Sequence, residues 1–256
     1  LSPVRRQLLL NDVKVFLRDT TQWSQLLLLL ALVLVYVYNF RVLDLDRFPQ
    51  IGRVVKNAYA FVNLAMAGFV LSAVAVRFVF PAVSAEGPAF WVVRTSPVRM
   101  RQFLWSKFWT GLAPILVMIE AVTIVSNRFL RADPFLQVLG AIAIFFMAFA
   151  LVGLATGMGA MHPRFRAENL VQVAGSYGGI AYMVLAVLFI LVETALLAWP
   201  SSIYLWHRFR GLPLPPSRIL LLGLSFLAAA ALSVTVFLTA MDRGVKALED
   251  LDRPTS

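Results

Sequence analysis

Cysteine is absent from all 256 residues, which excludes disulfides, thiolate metal sites and cysteine nucleophiles. Histidine is nearly absent. His162 and His207 are the only two, both outside the most apolar runs, and no carboxylate cluster stands near either to complete a catalytic or metal set. His162, next to Pro163, reads as a helix terminator. Charge is scarce as well: 14% of residues are charged, 13 of them acidic and 23 basic. No Gly-rich loop runs into Gly-Lys-Ser/Thr, the motif whose backbone N–H groups cradle nucleotide phosphates. From these absences the sequence predicts no catalytic residue, no metal ligand and no cofactor bound by this chain.

What is abundant is apolar surface. Hydrophobic residues make up 60% of the chain and the mean hydropathy is +0.80, more than one soluble core of this size can use. A hydrocarbon layer of roughly 30 Å takes about 20 helical residues per crossing. Six stretches meet that length, at about 22–40, 57–80, 107–127, 135–161, 177–199 and 217–241. They are continuous and rich in Leu, Ala and Val, where barrel strands would be short and alternating. The expected fold is an all-α integral membrane protein with six transmembrane helices. An interfacial helix occupies 1–20, the six-helix domain 21–241 with a charged loop at 82–107, and a tail 242–256.

The net charge of +10 does not point to nucleic acid, because the basic residues are spread over loops and termini. With six crossings both termini share a side, and fourteen of the 23 basic residues fall there. Positive residues gather on the cytoplasmic side, so both termini are expected in the cytoplasm.

Leu9, Val13, Phe16 and Leu17 fall on one face of a helix over 3–18, with Asn11, Lys14 and Arg18 on another. Such a helix lies in the interface, either as a basic anchor on headgroups or as a partner contact. Asp133-Pro134 marks a tight turn joining antiparallel neighbours. Gly153, Gly157 and Gly159 leave one helix face without side chains, which suits plain close packing or a dimer face. The segment 200–217, with Trp206, Pro213, Pro215 and Pro216, suits an interfacial segment or an exposed loop. Glu120 and Glu193 lie within spans, where a carboxyl is costly. Either both are structural or they belong to a translocation path or outer gate.

The loop before the third crossing has an order with mechanical sense. Glu86 or Gly87 starts a short helix with Pro88 in its first turn, where a missing N–H costs nothing. That helix reaches Thr95. Ser96 is placed as N-cap, and Pro97 at the first position, of a second helix carrying Arg99, Arg101 and Lys107 toward the headgroups and into the membrane. A short rigid helix on a proline elbow can transmit force.

Glu86-Gly87, Phe90-Trp91, Arg94-Thr95-Ser96-Pro97 and Lys107 together resemble the second-loop signature of ABC-2 type permeases, the membrane subunits of bacterial ABC exporters. Gly159 to Asn169 with Gly175-Ser176-Tyr177-Gly178-Gly179, and Asn11 to Asp19, are similar to two further segments of that group. The resemblance implies a coupling helix that meets a separate ABC ATP-binding subunit through Glu86, Gly87, Phe90, Trp91, Arg94, Ser96 and Pro97. ATP and Mg would sit on that partner, and the chain would be a permease subunit with no ATPase of its own. The setting would be a bacterial inner membrane. A complete six-helix permease would pair as a homodimer, whereas a C-terminal half would pair with a missing N-terminal half. A secondary transporter, or a scaffold that binds a cytoplasmic partner without transport, stands as the alternative.

Overall fold

The computed structural model describes residues 51–130, 132–167, 169–213 and 215–251. The expected first crossing at 22–40, and the lead-in helix with Lys14, Phe16 and Arg18, lie outside the described residues. Among the described residues there is no strand. The elements are α1 (Ile51–Phe78), two short 3-10 segments (Phe80–Ala82 and Ser84–Ala89), α2 (Phe90–Thr95), α3 (Met100–Phe129), α4 (Pro134–Met161), α5 (Leu170–Ala174), α6 (Tyr177–Arg210) and α7 (Pro216–Asp250). Among the described residues five helices are long and apolar enough to cross a membrane, consistent with a multi-pass membrane protein.

The ends of these helices follow from local chemistry. Asp133 caps α4, accepting from the Phe135 N–H at 2.9 Å, and Pro134 takes the position where an N–H would have no partner. Ser176 caps α6 in the same way. The segment after residue 199 does not leave the helix: α6 continues through Pro200 to Arg210 and stops at Gly211, which takes the left-handed conformation at φ 65°. The 35 residues of α7 span about 52 Å at 1.5 Å each, well beyond one hydrocarbon layer, so the last helix runs past the expected crossing to Asp250.

Helix α4 is the hub, packed against α1, α3, α6 and α7. Its second half, from Ala150 to Ala160, is buried throughout. The bare face at Gly153 and Gly157 is used within the chain. A Cβ on Gly157 would strike the backbone carbonyl of Ala240, one on Gly153 the ring of Phe237, and Gly244 sits against Gly157 from the α7 side. The glycines therefore let two backbones touch, which is the plain-packing reading of that motif. Outward, α6 shows Ile180, Met183, Val184, Leu188 and Leu191, and α7 shows Ile219, Leu220, Leu224 and Leu227. Such continuous apolar faces suit lipid as solvent.

One end of the bundle is pinned as a unit. The C-terminal turn of α4 backs directly onto the chain at Phe80, since a Cβ on Gly159 would collide with the Phe80 carbonyl. His162 caps α4, its N–H donating to the Met158 carbonyl. The segment that follows α1 is thus held against the connection between α4 and α6.

Candidate functional site

The chain between α1 and α3 makes an elbow at this pinned end. After Phe80 the backbone tightens into 3-10 turns up to Ala89, so the expected short α-helix begins at Phe90 and not at Pro88. Gly87 makes the bend, at φ 53° and ψ −139°, a region essentially closed to side-chain-bearing residues. Ser96 does not cap the next helix as its sequence position suggests. It ends α2 in an extended conformation, as the residue before a proline tends to, and its Oγ donates back to the Val93 carbonyl at 2.7 Å. Arg99 occupies the N-cap position of α3, with no side-chain hydrogen bond from it to the helix.

Across the elbow the Lys107 ammonium meets the Glu86 carboxylate at 2.6 Å, with the two side chains 9% and 25% exposed. The expected headgroup-facing role of Lys107 does not hold. Lys107 points into the bundle because Glu86 folds over it, and the Phe103 ring lies 5.5 Å from its nitrogen. A lysine this buried needs such a partner, since an unpaired charge there is strongly destabilising.

Phe90, expected at a partner interface, is also turned inward. It is buried, stacks on Phe165 at 4.3 Å between centroids and meets Phe103 edge-on at 6.0 Å. The neighbouring positions are left outside: Trp91 is 65% and Val92 50% exposed. Two further bonds fix the elbow. Arg94 donates to the Leu251 carbonyl at the end of α7 at 3.0 Å, and the Arg164 N–H donates to Ser84 Oγ at 3.0 Å. Of the residues singled out in the sequence, Glu86, Gly87, Phe90 and Ser96 build the elbow, while Trp91, Arg94 and Pro97 face outward. Phe165 falls in the Gly159–Asn169 segment, but nothing in the sequence marks it or Leu251 as a partner of the elbow, because both contacts join segments far apart in the chain. Chemically the elbow offers a rigid, partly apolar surface tied to three other parts of the molecule.

The two intramembrane carboxyls are not brought together. Glu193 on α6 is 1% exposed and accepts from Ser233 on α7 at 3.1 Å. It lines a cavity of about 200 Å³ between α4, α6 and α7. Glu120 is half-buried on α3 and is not among the residues lining that cavity.

A family model described as "Putative ATP-binding cassette" matches residues 1–253. No curated protein and no solved structure matches the chain. The match is to an ABC family but not to ABC-2 permeases. It overturns the expectation of a permease subunit without an ATPase or other catalytic site: the family description is that of an ATP-binding cassette, which hydrolyses ATP. Three short segments, two at helix connections and one in the lead-in helix, do not determine a whole functional class. Nucleotide is therefore implied by the family, and the described residues can be tested for it. They carry no strand to launch a phosphate loop, and the cavity is walled by apolar side chains with a carboxylate, which would repel a triphosphate. These residues do not fit ATP.

Proposed function

We propose, since the chain belongs to this ATP-binding-cassette family, that the elbow at Glu86 to Pro97 is the surface through which the membrane bundle engages an ATP-binding partner. The observation that carries this reading is the exposure of Trp91 and Val92 on a segment whose other side is locked by the Glu86–Lys107 pair and the Phe90–Phe165 stack. Exposed aromatic side chains on rigid supports are the usual anchors of protein interfaces. Arg77, Arg94, Arg99, Arg101, Arg164, Arg166, Arg243 and Lys246 cluster in or beside the segments at this end, which favours the cytoplasmic side of a bacterial inner membrane. In this reading ATP and Mg reside on the partner.

The elbow is held to the bundle at three points. The ion pair ties it to α3, the Arg94 bond to the end of α7, and the aromatic stack to the connection leaving α4. A partner seated on Trp91 would therefore rest on a support anchored in two long helices and at the hub's C-terminal end.

The test is site-directed photo-cross-linking in cells, with benzophenone-bearing side chains placed at Trp91 and, as a buried control, at Phe103. Position 91 is expected to trap an ATP-binding protein, and the trapped amount is expected to exceed that at position 103. Cross-links from position 91 to lipid alone would instead make it an interfacial anchor.

A further inference from the structure

The cavity beside Glu193 is separate from the elbow and independent of the reading given to it. Its walls come from three helices: Phe135, Val138, Ile142 and Phe146 from α4, Glu193 from α6 and Phe226 from α7. All but one of these are apolar. Glu193 is almost completely buried; one oxygen accepts from Ser233, and the other, Oε2, has no hydrogen-bond partner among the described residues.

A buried carboxyl oxygen without a donor is costly in an apolar setting. A hydrophobic side chain would pack in this position without that cost, so the carboxyl calls for a donor that the described helices do not provide. We infer that the cavity binds a small lipophilic amine, its apolar body among Phe135, Phe146 and Phe226 and its ammonium on Glu193. An apolar cavity of about 150 Å³ admits benzene, so 200 Å³ accommodates an aryl ring with a short aminoalkyl arm. The terminal torsion of a glutamate is soft, so the carboxylate turns as one planar unit to meet the ammonium, and the Ser233 hydroxyl rotates with it. Entry is lateral. Val138 and Ile142 on the cavity wall are 61% and 53% exposed, facing the hydrocarbon in which lipophilic amines concentrate.

The experiment uses the full chain in lipid nanodiscs and follows 4-fluorobenzylamine by fluorine NMR, with 4-fluorobenzyl alcohol as the neutral probe of nearly the same shape. The amine is expected to bind saturably and the alcohol at least about tenfold more weakly, the scale of one hydrogen bond to a charged group. Glu193→Gln, which keeps the side-chain shape, is expected to remove the preference for the amine. Ile142→Trp closes the mouth without touching the carboxyl and is expected to weaken both probes while thermal unfolding stays unchanged. Equal binding of amine and alcohol by the wild-type chain, or an amine affinity indifferent to Glu193→Gln, would overturn the assignment, as would uptake of the amine that never saturates.

Discussion

Glu86 Oε1 and Lys107 Nζ stand 2.6 Å apart although 21 residues separate them in sequence, and the contact closes the elbow over the start of α3. The pair is mostly out of water, so its two members depend on each other more than a surface pair would. Lys107→Met removes the buried charge together with its need for a partner, whereas Glu86→Gln keeps the buried ammonium and takes away the opposite charge beside it. Glu86→Gln is therefore expected to destabilise the bundle by about 2 kcal/mol, Lys107→Met by less, and the double variant by less than the sum of the two. Denaturant unfolding of the four proteins in detergent micelles measures this directly.

Phe90 and Trp91 are adjacent in sequence and opposite in role. Phe90→Ala empties an aromatic pocket against Phe165 and Phe103 and is expected to cost about 3 kcal/mol. Trp91→Ala removes a side chain that is 65% exposed and should change stability by no more than about 0.5 kcal/mol. Thermal unfolding of the two variants distinguishes them.

At Gly87 the nearest heavy atom to an added Cβ is 3.8 Å away, so space is not what demands glycine there. The demand comes from φ 53° and ψ −139°. Gly87→Ala is expected to cost about 1–3 kcal/mol through backbone strain alone, and the loss should be recovered by D-alanine introduced through semisynthesis, which adopts that conformation freely.

Gly157 poses the opposite case. Its backbone is ordinary, but an added Cβ would fall on the Ala240 carbonyl, which belongs to a helix and cannot step aside. Gly157→Ala is expected to push α4 and α7 apart and to cost about 2 kcal/mol. Cysteine cross-linking between α4 and α7 should slow, and the oligomeric state measured by light scattering should stay as it was, since this face packs within the chain.

Much of the bundle is legible from composition and run length: five of the apolar stretches coincide with long helices, and Asp133-Pro134 and His162 mark ends where their chemistry places them. The elbow is legible only in outline. Glu86, Gly87 and Lys107 stand out as charge and glycine at a membrane entry, yet their mutual contact depends on the turn at Gly87, and local propensity cannot give it. Ser96 misleads because Ser-Pro suits a helix start, while the proline forces its predecessor into an extended conformation that here ends α2. Phe90 and Trp91 are indistinguishable until Phe165 is brought across from the α4–α6 connection. Ser233 is one small polar residue in an apolar run, and only the packing of α6 on α7 sets it against Glu193. The permease assignment fails for a related reason, since short motifs in connections and in the lead-in carry local geometry and do not report what the whole chain belongs to.

The most direct measurement of the elbow's role is the dissociation constant between the nanodisc-embedded chain and the ATP-binding protein trapped at position 91, determined for wild type, Trp91→Ala and the Asp133→Ala control at the opposite end of the bundle. Trp91→Ala is expected to weaken the complex at least about tenfold, the loss typical of an interface anchor, with Asp133→Ala unchanged. Equal affinity of wild type and Trp91→Ala would contradict it.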